Sequence, residues 1–253
     1  MRTFTIKKFG YSPMKGTQHA ARLAGNLKGR HLLEDRRLCL VDVAKQQVLR
    51  TVQHPQLMAF EVFLDESLTT ATIVFPDHKG REVLLAPAAS LVCDYWGRNV
   101  ELGLLDSSVN ADFSRYLGKE VTLALAPAGS IIFGAPFSLL GTATLNELAR
   151  QLDAPQLVKQ DARFRSTFFL ETERAFEEEE WSGQIIRLEG EAFPLHTLEI
   201  RVGEPIGRCA AVDSNPTSGV RDLKILKHLA HTRPKNTAGE PYLGMYAYAL
   251  TTA

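Results

Sequence analysis

From Val121 to Asn146 the chain carries no charged residue, and this run constrains the fold more than any other segment. It is long enough to cross a bilayer. Yet Pro127 and Pro136 interrupt it, with Gly129, Gly134 and Gly141, and Ser and Thr are scattered along it. Such breaks fit poorly in one continuous apolar helix. The segment predicts two buried strands and a turn, not a membrane span.

The residues before it predict a series of short strands. Arg37–Asp42, Gln47–Val52, Leu57–Leu64, Ala71–Phe75, Glu82–Ala86 and Leu91–Trp96 are apolar or alternating runs. Between them lie turn formers such as Gln53-His54-Pro55-Gln56 and Pro76-Asp77-His78-Lys79-Gly80, the pattern of a barrel or sandwich. Helical signals are few. Ser108–Gly118 has an amphipathic spacing with a glycine stop, Thr144–Leu152 opens with Thr144 and Glu147 in capping-box spacing, and Asp222–Ala230 is a third candidate. The fold class is therefore β-rich α+β, with a domain boundary at Gly118-Lys119 that separates residues 1–118 from 119–253.

Charge and cysteine usage exclude several function classes. Lys+Arg and Asp+Glu both number 29, so the chain lacks the basic excess of a dedicated nucleic-acid binder. Three cysteines lie far apart with no CxxC spacing, which is neither a disulfide framework nor a zinc site. The N-terminus, Met1 to Lys8, has charges but no apolar segment behind them, unlike a signal peptide. A reducing cytoplasm is the expected setting.

The chemically most informative residue is Cys209. A β-like run, Leu195–Val202, leads into the Gly/Pro turn Gly203-Glu204-Pro205-Ile206-Gly207 and then Arg208-Cys209. A guanidinium beside a thiol favours the thiolate, the form that attacks electrophiles or binds soft metals. Most cysteines are instead small buried hydrophobes, and Cys39 and Cys93, each inside an apolar strand, read that way.

Four further segments accompany Gly207-Arg208-Cys209: Tyr11-Ser12-Pro13-Met14-Lys15-Gly16, Glu34-Asp35-Arg36-Arg37, Arg163-Phe164-Arg165-Ser166-Thr167 and Phe176-Glu177-Glu178-Glu179-Glu180-Trp181. In this order and spacing the five resemble the MOSC family, the molybdenum-cofactor sulfurase C-terminal type domain, preceded by its usual N-terminal β-barrel domain. Gln53-His54-Pro55 with Leu57, the stretch Pro136–Leu148 and the closing Leu243-Gly244-Met245-Tyr246-Ala247 extend the resemblance along nearly the whole chain. It implies an N-terminal β-barrel-like domain packed on a MOSC β-barrel with peripheral helices, and a cofactor in the cleft between them.

The resemblance also implies residue roles. In members that bind molybdopterin, such as the mitochondrial amidoxime-reducing component and related bacterial proteins, the cysteine of Arg-Cys ligates molybdenum. Cys209 would then be metal ligand and catalytic residue. Lys15, Arg36, Arg165, Thr167 and Arg208 match positions that would hold the cofactor, and Arg208, beside the ligand, would hold the cofactor or stabilise the thiolate. There are departures. Gly16 stands where a serine is usual, Ser166-Thr167 replaces Pro-Asn, and the family's final Gly-x-x-x-x-Gly-Asp strand has no counterpart before Ala253.

The implied function is a molybdenum-cofactor oxidoreductase acting on small N-hydroxylated compounds, such as hydroxylaminopurines or amidoximes. The chain has no flavin, haem or iron–sulfur motif, so a separate electron-transfer protein would supply electrons. One alternative is a sulfurtransferase or sulfur carrier using a persulfide on Cys209; another is a non-enzymatic cofactor carrier. Other features have plain structural readings. Asp35-Arg36 can be a surface ion pair, Glu177–Glu180 a solvated segment beside a core Trp181, and Asp213 and Asn215 turn residues. His228 and His231, three apart on a predicted helix, have no third metal ligand near them in sequence.

Overall fold

The computed structural model describes residues 1–191 and 197–250. Two closed barrels dominate a β-rich α+β fold. In the first, Pro87–Tyr95, Arg98–Leu105, Thr122–Leu125, Leu38–Asp42 and Gln47–Val48 follow one another around the wall, and the Asp94–Gln47 pairing closes it. In the second, Phe168–Leu170, Phe137–Gly141, Tyr242–Ala249, Thr197–Gly207, Ile185–Glu189 and Arg2–Tyr11 form the ring, closed where Phe9 pairs with Phe168 and Ile6 with Leu170.

The pairings cross the expected 118/119 boundary in both directions. Arg2–Tyr11 lies in the barrel built mainly from the second half, and Thr122–Leu125 lies in the barrel of the first half. The first strand escaped sequence reading because its charges mask a real alternation. Phe4 and Ile6 are partly buried against the six-strand core while Thr3, Thr5 and the other outward residues face away. The charge-free segment is thus divided between the two barrels, with Thr122–Leu125 in one and Phe137–Gly141 in the other. Among the described residues no helix is long and apolar enough to cross a membrane.

The six-strand core holds Phe9, Phe137, Phe168, Trp181, Ile200 and Met245. Removing one such ring to alanine costs about 3–5 kcal/mol. Cys39 and Cys93 sit in the five-strand core with Val41, Tyr95 and Leu102, and burial pushes the Cys39 thiol up to about 12. A three-stranded sheet, Glu61–Leu64, Thr70–Val74 and Gly80–Leu84, packs Val62, Ile73 and Val83 over this barrel together with Phe113 of the helix Val109–Leu117. That helix ends on Gly118 in a left-handed conformation, the expected glycine stop.

Three local expectations need correction. Leu57 lies in a 3-10 turn, Pro55–Ala59, with Pro55 at its start, and the strand begins only at Glu61. Proline's fixed φ favours such a helical start. The second helix spans Thr142–Gln151, so Thr144 lies inside the first turn and forms no capping box. Its hydroxyl donates instead to Glu178 Oε2 at 2.8 Å, while Glu178 Oε1 accepts the Gly141 N–H at 3.2 Å. Glu178 is therefore a buried cap and not a solvated residue, although Trp181 is core as expected. The third helix runs Ile225–Thr232.

Of the expected strand Leu195–Val202, Leu195 and His196 lie outside the described residues; the strand is present over Thr197–Gly207. Leu198, Ile200 and Val202 point inward in strict alternation, and then the register shifts twice, between Val202 and Pro205 and between Pro205 and Gly207. Bulges of this kind bend a strand and re-aim its end. Here they deliver Arg208 and Cys209 to the rim of the barrel.

Candidate functional site

One cleft is lined from both barrels. Lys15, Gly16, Arg36, Thr51 and Trp96 come from the side of the five-strand barrel, and Ser138, Arg165, Thr167, Arg208, Cys209 and Tyr246 from the other. Lys15, Arg36, Arg165, Thr167, Arg208 and Cys209 thus meet in one place although they are scattered through the sequence.

Cys209 is solvent-exposed and immediately precedes the 3-10 turn Ala210–Asp213. That turn is anchored by Arg163, which is 1% exposed and donates to Asp213 O at 3.1 Å while pairing with Asp222 at 2.7 Å. Asp213 Oδ1 in turn accepts the Leu226 N–H at 2.8 Å at the start of the third helix. Asp213 and Asn215 are thus turn residues, and Asn215 is tied to Asp222 at 3.0 Å. Arg163 had no signal in the sequence beyond its place beside Arg165.

Arg208 is buried, and its guanidinium is pinned by two backbone carbonyls, Leu243 O to Nε and Phe164 O to Nη1, each at 2.8 Å. Nη2 is buried with no hydrogen-bond partner among the described residues. Burial, eased slightly by Tyr246 and Cys209, pushes this guanidinium down to about 10. An unpartnered donor of a buried cation is costly, and this one lies 3.2 Å from where a Cβ on Gly244 would stand.

Arg165 and Arg36 share an unusual feature: both occupy left-handed backbone, with φ near 50° and 51°. For a long side chain this costs on the order of 1–2 kcal/mol, and such strain concentrates where a side chain must be aimed. Arg36 donates its N–H to Ser12 O at 2.7 Å and pairs with Asp35, whose other oxygen accepts the Ser12 N–H at 3.1 Å. Arg165 donates from Nη1 to Thr17 O at 2.9 Å and from Nη2 to Ser12 Oγ at 2.7 Å. Burial first, then Arg36, pushes it down to about 9.

Ser12 hands this network on to His19, whose Nδ1 lies 3.3 Å from Ser12 Oγ and whose Nε2 lies 2.9 Å from Ser166 O. A carbonyl only accepts, so Nε2 carries the proton and Nδ1 accepts from the Ser12 hydroxyl. Burial, then Arg165 and Arg36, holds His19 well below the usual histidine range, so the ring is neutral. Nothing in the spacing of His19 marked it beforehand.

Lys15 completes the cationic wall. Its ammonium stands 4.8 Å from the centre of the Tyr95 ring, and burial, then Arg36 and Arg165, draws it down to about 7. Among the described residues neither Lys15, Arg165 nor Arg208 forms an ion pair with a carboxylate, whereas Arg36 does. A chain without net charge thus concentrates unpaired cations in one cleft, which attracts anions.

The departures at positions 16 and 167 have structural reasons. Gly16 has φ of 90°, and a Cβ there would meet Leu57 Cδ1 at 3.3 Å, so a serine would be strained. The Thr51 hydroxyl lies beside that position, 3.7 Å from where the Cβ would stand, and supplies a donor to the cleft. Thr167 is almost buried; its Oγ accepts the Ser138 N–H at 3.2 Å and its own N–H donates to Ser138 Oγ at 3.0 Å. Its hydroxyl is largely committed to joining two strands. His228 bonds Gln151 and His231 bonds Lys227 O, both at the surface away from the cleft lining.

No family model matches the chain. It is 22% identical over 215 residues to human molybdenum cofactor sulfurase, a match that covers 79% of this chain and 23% of that protein. The chain therefore spans about a quarter of the relative's length, and the likeness supports a distant MOSC relation at most.

Proposed function

We propose that the cleft holds the molybdenum cofactor and that the protein is an oxidoreductase reducing small N-hydroxylated compounds. The observation that carries this reading is the meeting of an exposed thiol, Cys209, with three cations that lack carboxylate partners among the described residues: Lys15, Arg165 and Arg208. The cofactor brings a soft, sulfur-bound metal and a phosphate. A thiolate suits the first, and a guanidinium and ammonium cluster suits the second. Burial, then the nearby Arg36 and Arg165, draws Lys15 down, and an anion in the cleft would relieve that repulsion.

In this reading Cys209 is the metal's thiolate ligand. Lys15, Arg36 and Arg165 take the phosphate with the Thr51 hydroxyl in support, and Arg208 orients the group beside Cys209. Thr167 acts through Ser138 by keeping the two strands under the cleft in register. When bound, the cofactor supplies the two-electron redox chemistry that side chains lack. Electrons come from a separate electron-transfer protein, since the sequence carries no flavin, haem or iron–sulfur motif.

The similarity to the sulfurase favours a second reading, in which the Cys209 thiolate takes sulfane sulfur from a separate persulfide donor, whose thiolate leaves, and passes that outer sulfur to an acceptor. One preparation separates the two. Protein from a host that makes the cofactor is analysed for molybdenum and released pterin, and intact mass reports any added sulfur on Cys209. Pterin with metal supports the oxidoreductase, added sulfur on Cys209 without pterin supports the sulfur carrier, and neither pterin nor added sulfur overturns both.

A further inference from the structure

The mouth of the cleft carries a feature that the cofactor reading does not use. Trp96 and Gly97 form the two-residue turn between Pro87–Tyr95 and Arg98–Leu105, where Tyr95 pairs with Arg98. Both turn residues have positive φ, 56° and 77°. Tight hairpins of this kind select Asn, Asp or Gly at the first position, because a side chain with a Cβ is strained there. A tryptophan is a poor choice on conformational grounds. Nor does burial account for it, since Trp96 is 45% exposed.

Its neighbours make a platform. The Arg50 guanidinium stacks 4.1 Å from the Trp96 ring centre, and Phe133, 53% exposed, stands 5.1 Å away at a 54° tilt. The loop bearing Phe133 is held in place by Arg98, whose Nη2 donates to Ile132 O at 2.8 Å. Arg50, Trp96 and Phe133 all line the cleft that holds Cys209. Exposed aromatic faces with a stacked guanidinium bind planar rings independently of sequence or substituent.

From this geometry we infer that Arg50, Trp96 and Phe133 form a shelf for the planar heteroaromatic ring of the substrate. The protein then selects ring-bearing N-hydroxylated compounds over aliphatic ones. The choice of N-hydroxylated substrates rests on the function proposed above; the ring shelf does not. The cations that line the same cleft, Lys15, Arg165 and Arg208, disfavour a cationic ring and favour a neutral or anionic one.

The chain contains two tryptophans, and Trp181 is buried at 1% exposure, so ligand quenching of intrinsic fluorescence reports Trp96. The protein is titrated with adenine as a ring probe and with acetamidoxime as an aliphatic N-hydroxy probe, in preparations with and without bound pterin. Adenine should quench saturably in both preparations and bind about tenfold more weakly in Phe133→Ala and Arg50→Ala, while acetamidoxime leaves the emission unchanged. Absence of saturable quenching, or affinity unaltered by both substitutions, overturns the shelf. Loss of adenine binding only when pterin is present assigns the shelf to the cofactor's own ring and overturns the substrate assignment. Adenine binding in a protein that never acquires pterin keeps the shelf and retires the cofactor reading, so the two claims fail separately.

Discussion

Arg165 Nη2 donates to Ser12 Oγ at 2.7 Å, and this bond ties the six-strand barrel to the segment that carries Lys15. Because the same hydroxyl donates to His19 Nδ1, one serine sets both the aim of a cleft arginine and the tautomer of a buried histidine. Ser12→Ala leaves both partners short of a bond. The expected loss of stability is about 1–3 kcal/mol, read from the urea midpoint, and an unchanged midpoint would remove Ser12 from this role.

Lys15 makes anion binding depend on pH. Its ammonium, drawn down to about 7, attracts an anion only while protonated, so affinity falls as pH rises through that value. Inorganic sulfate, which does not titrate here, should bind about tenfold more weakly at about pH 8.5 than at about pH 6. Lys15→Met should bind weakly at both and lose the slope. A slope that survives in Lys15→Met would place the titration elsewhere.

Glu178 tests the second helix. Burial pushes its carboxyl above the usual range, though its bonds from Thr144 and Gly141 act the other way. Glu178→Gln keeps an acceptor for the Gly141 N–H and should be tolerated, while Glu178→Ala orphans the Gly141 N–H and the Thr144 hydroxyl and should cost about 2–4 kcal/mol. Equal thermal midpoints for the two variants would contradict the capping role.

The two tryptophans should respond in opposite ways. Trp181→Ala empties part of the six-strand core and costs about 3–5 kcal/mol. Trp96→Asn should stay within about 1 kcal/mol of the parent, because relief of left-handed strain offsets the lost stacking on Arg50. Denaturant curves on both variants decide it, and a large loss in Trp96→Asn would make Trp96 a structural residue.

Much of this arrangement was legible in the chain, for identifiable reasons. An unbroken apolar run marks Leu38–Asp42, every residue of which is buried, while alternation marks the hairpin around Asp77 and the first part of the strand Thr197–Gly207, since period-two burial writes itself into sequence. Arg208-Cys209 stood out because a cation beside a thiol has chemical meaning. Arg2–Tyr11 did not, because its lysines face outward and its partners, Ile185–Glu189 and Phe168–Leu170, are more than a hundred residues away. His19 and Arg163 were invisible for a similar reason: each acts through a partner that only the fold brings near. The turn at Trp96-Gly97 was readable in principle, since a two-residue loop ending in glycine between alternating strands is a hairpin signal.

The central claim is that Cys209 and the cations around it hold the molybdenum cofactor. The most direct measurement is molybdenum and released pterin per chain, for the parent protein and Cys209→Ser, after expression in a host that makes the cofactor. The account predicts near-stoichiometric pterin in the parent, with molybdenum content lowered in Cys209→Ser while pterin is largely retained by Lys15, Arg36, Arg165 and Arg208. Folded protein that carries no pterin in either form would contradict it.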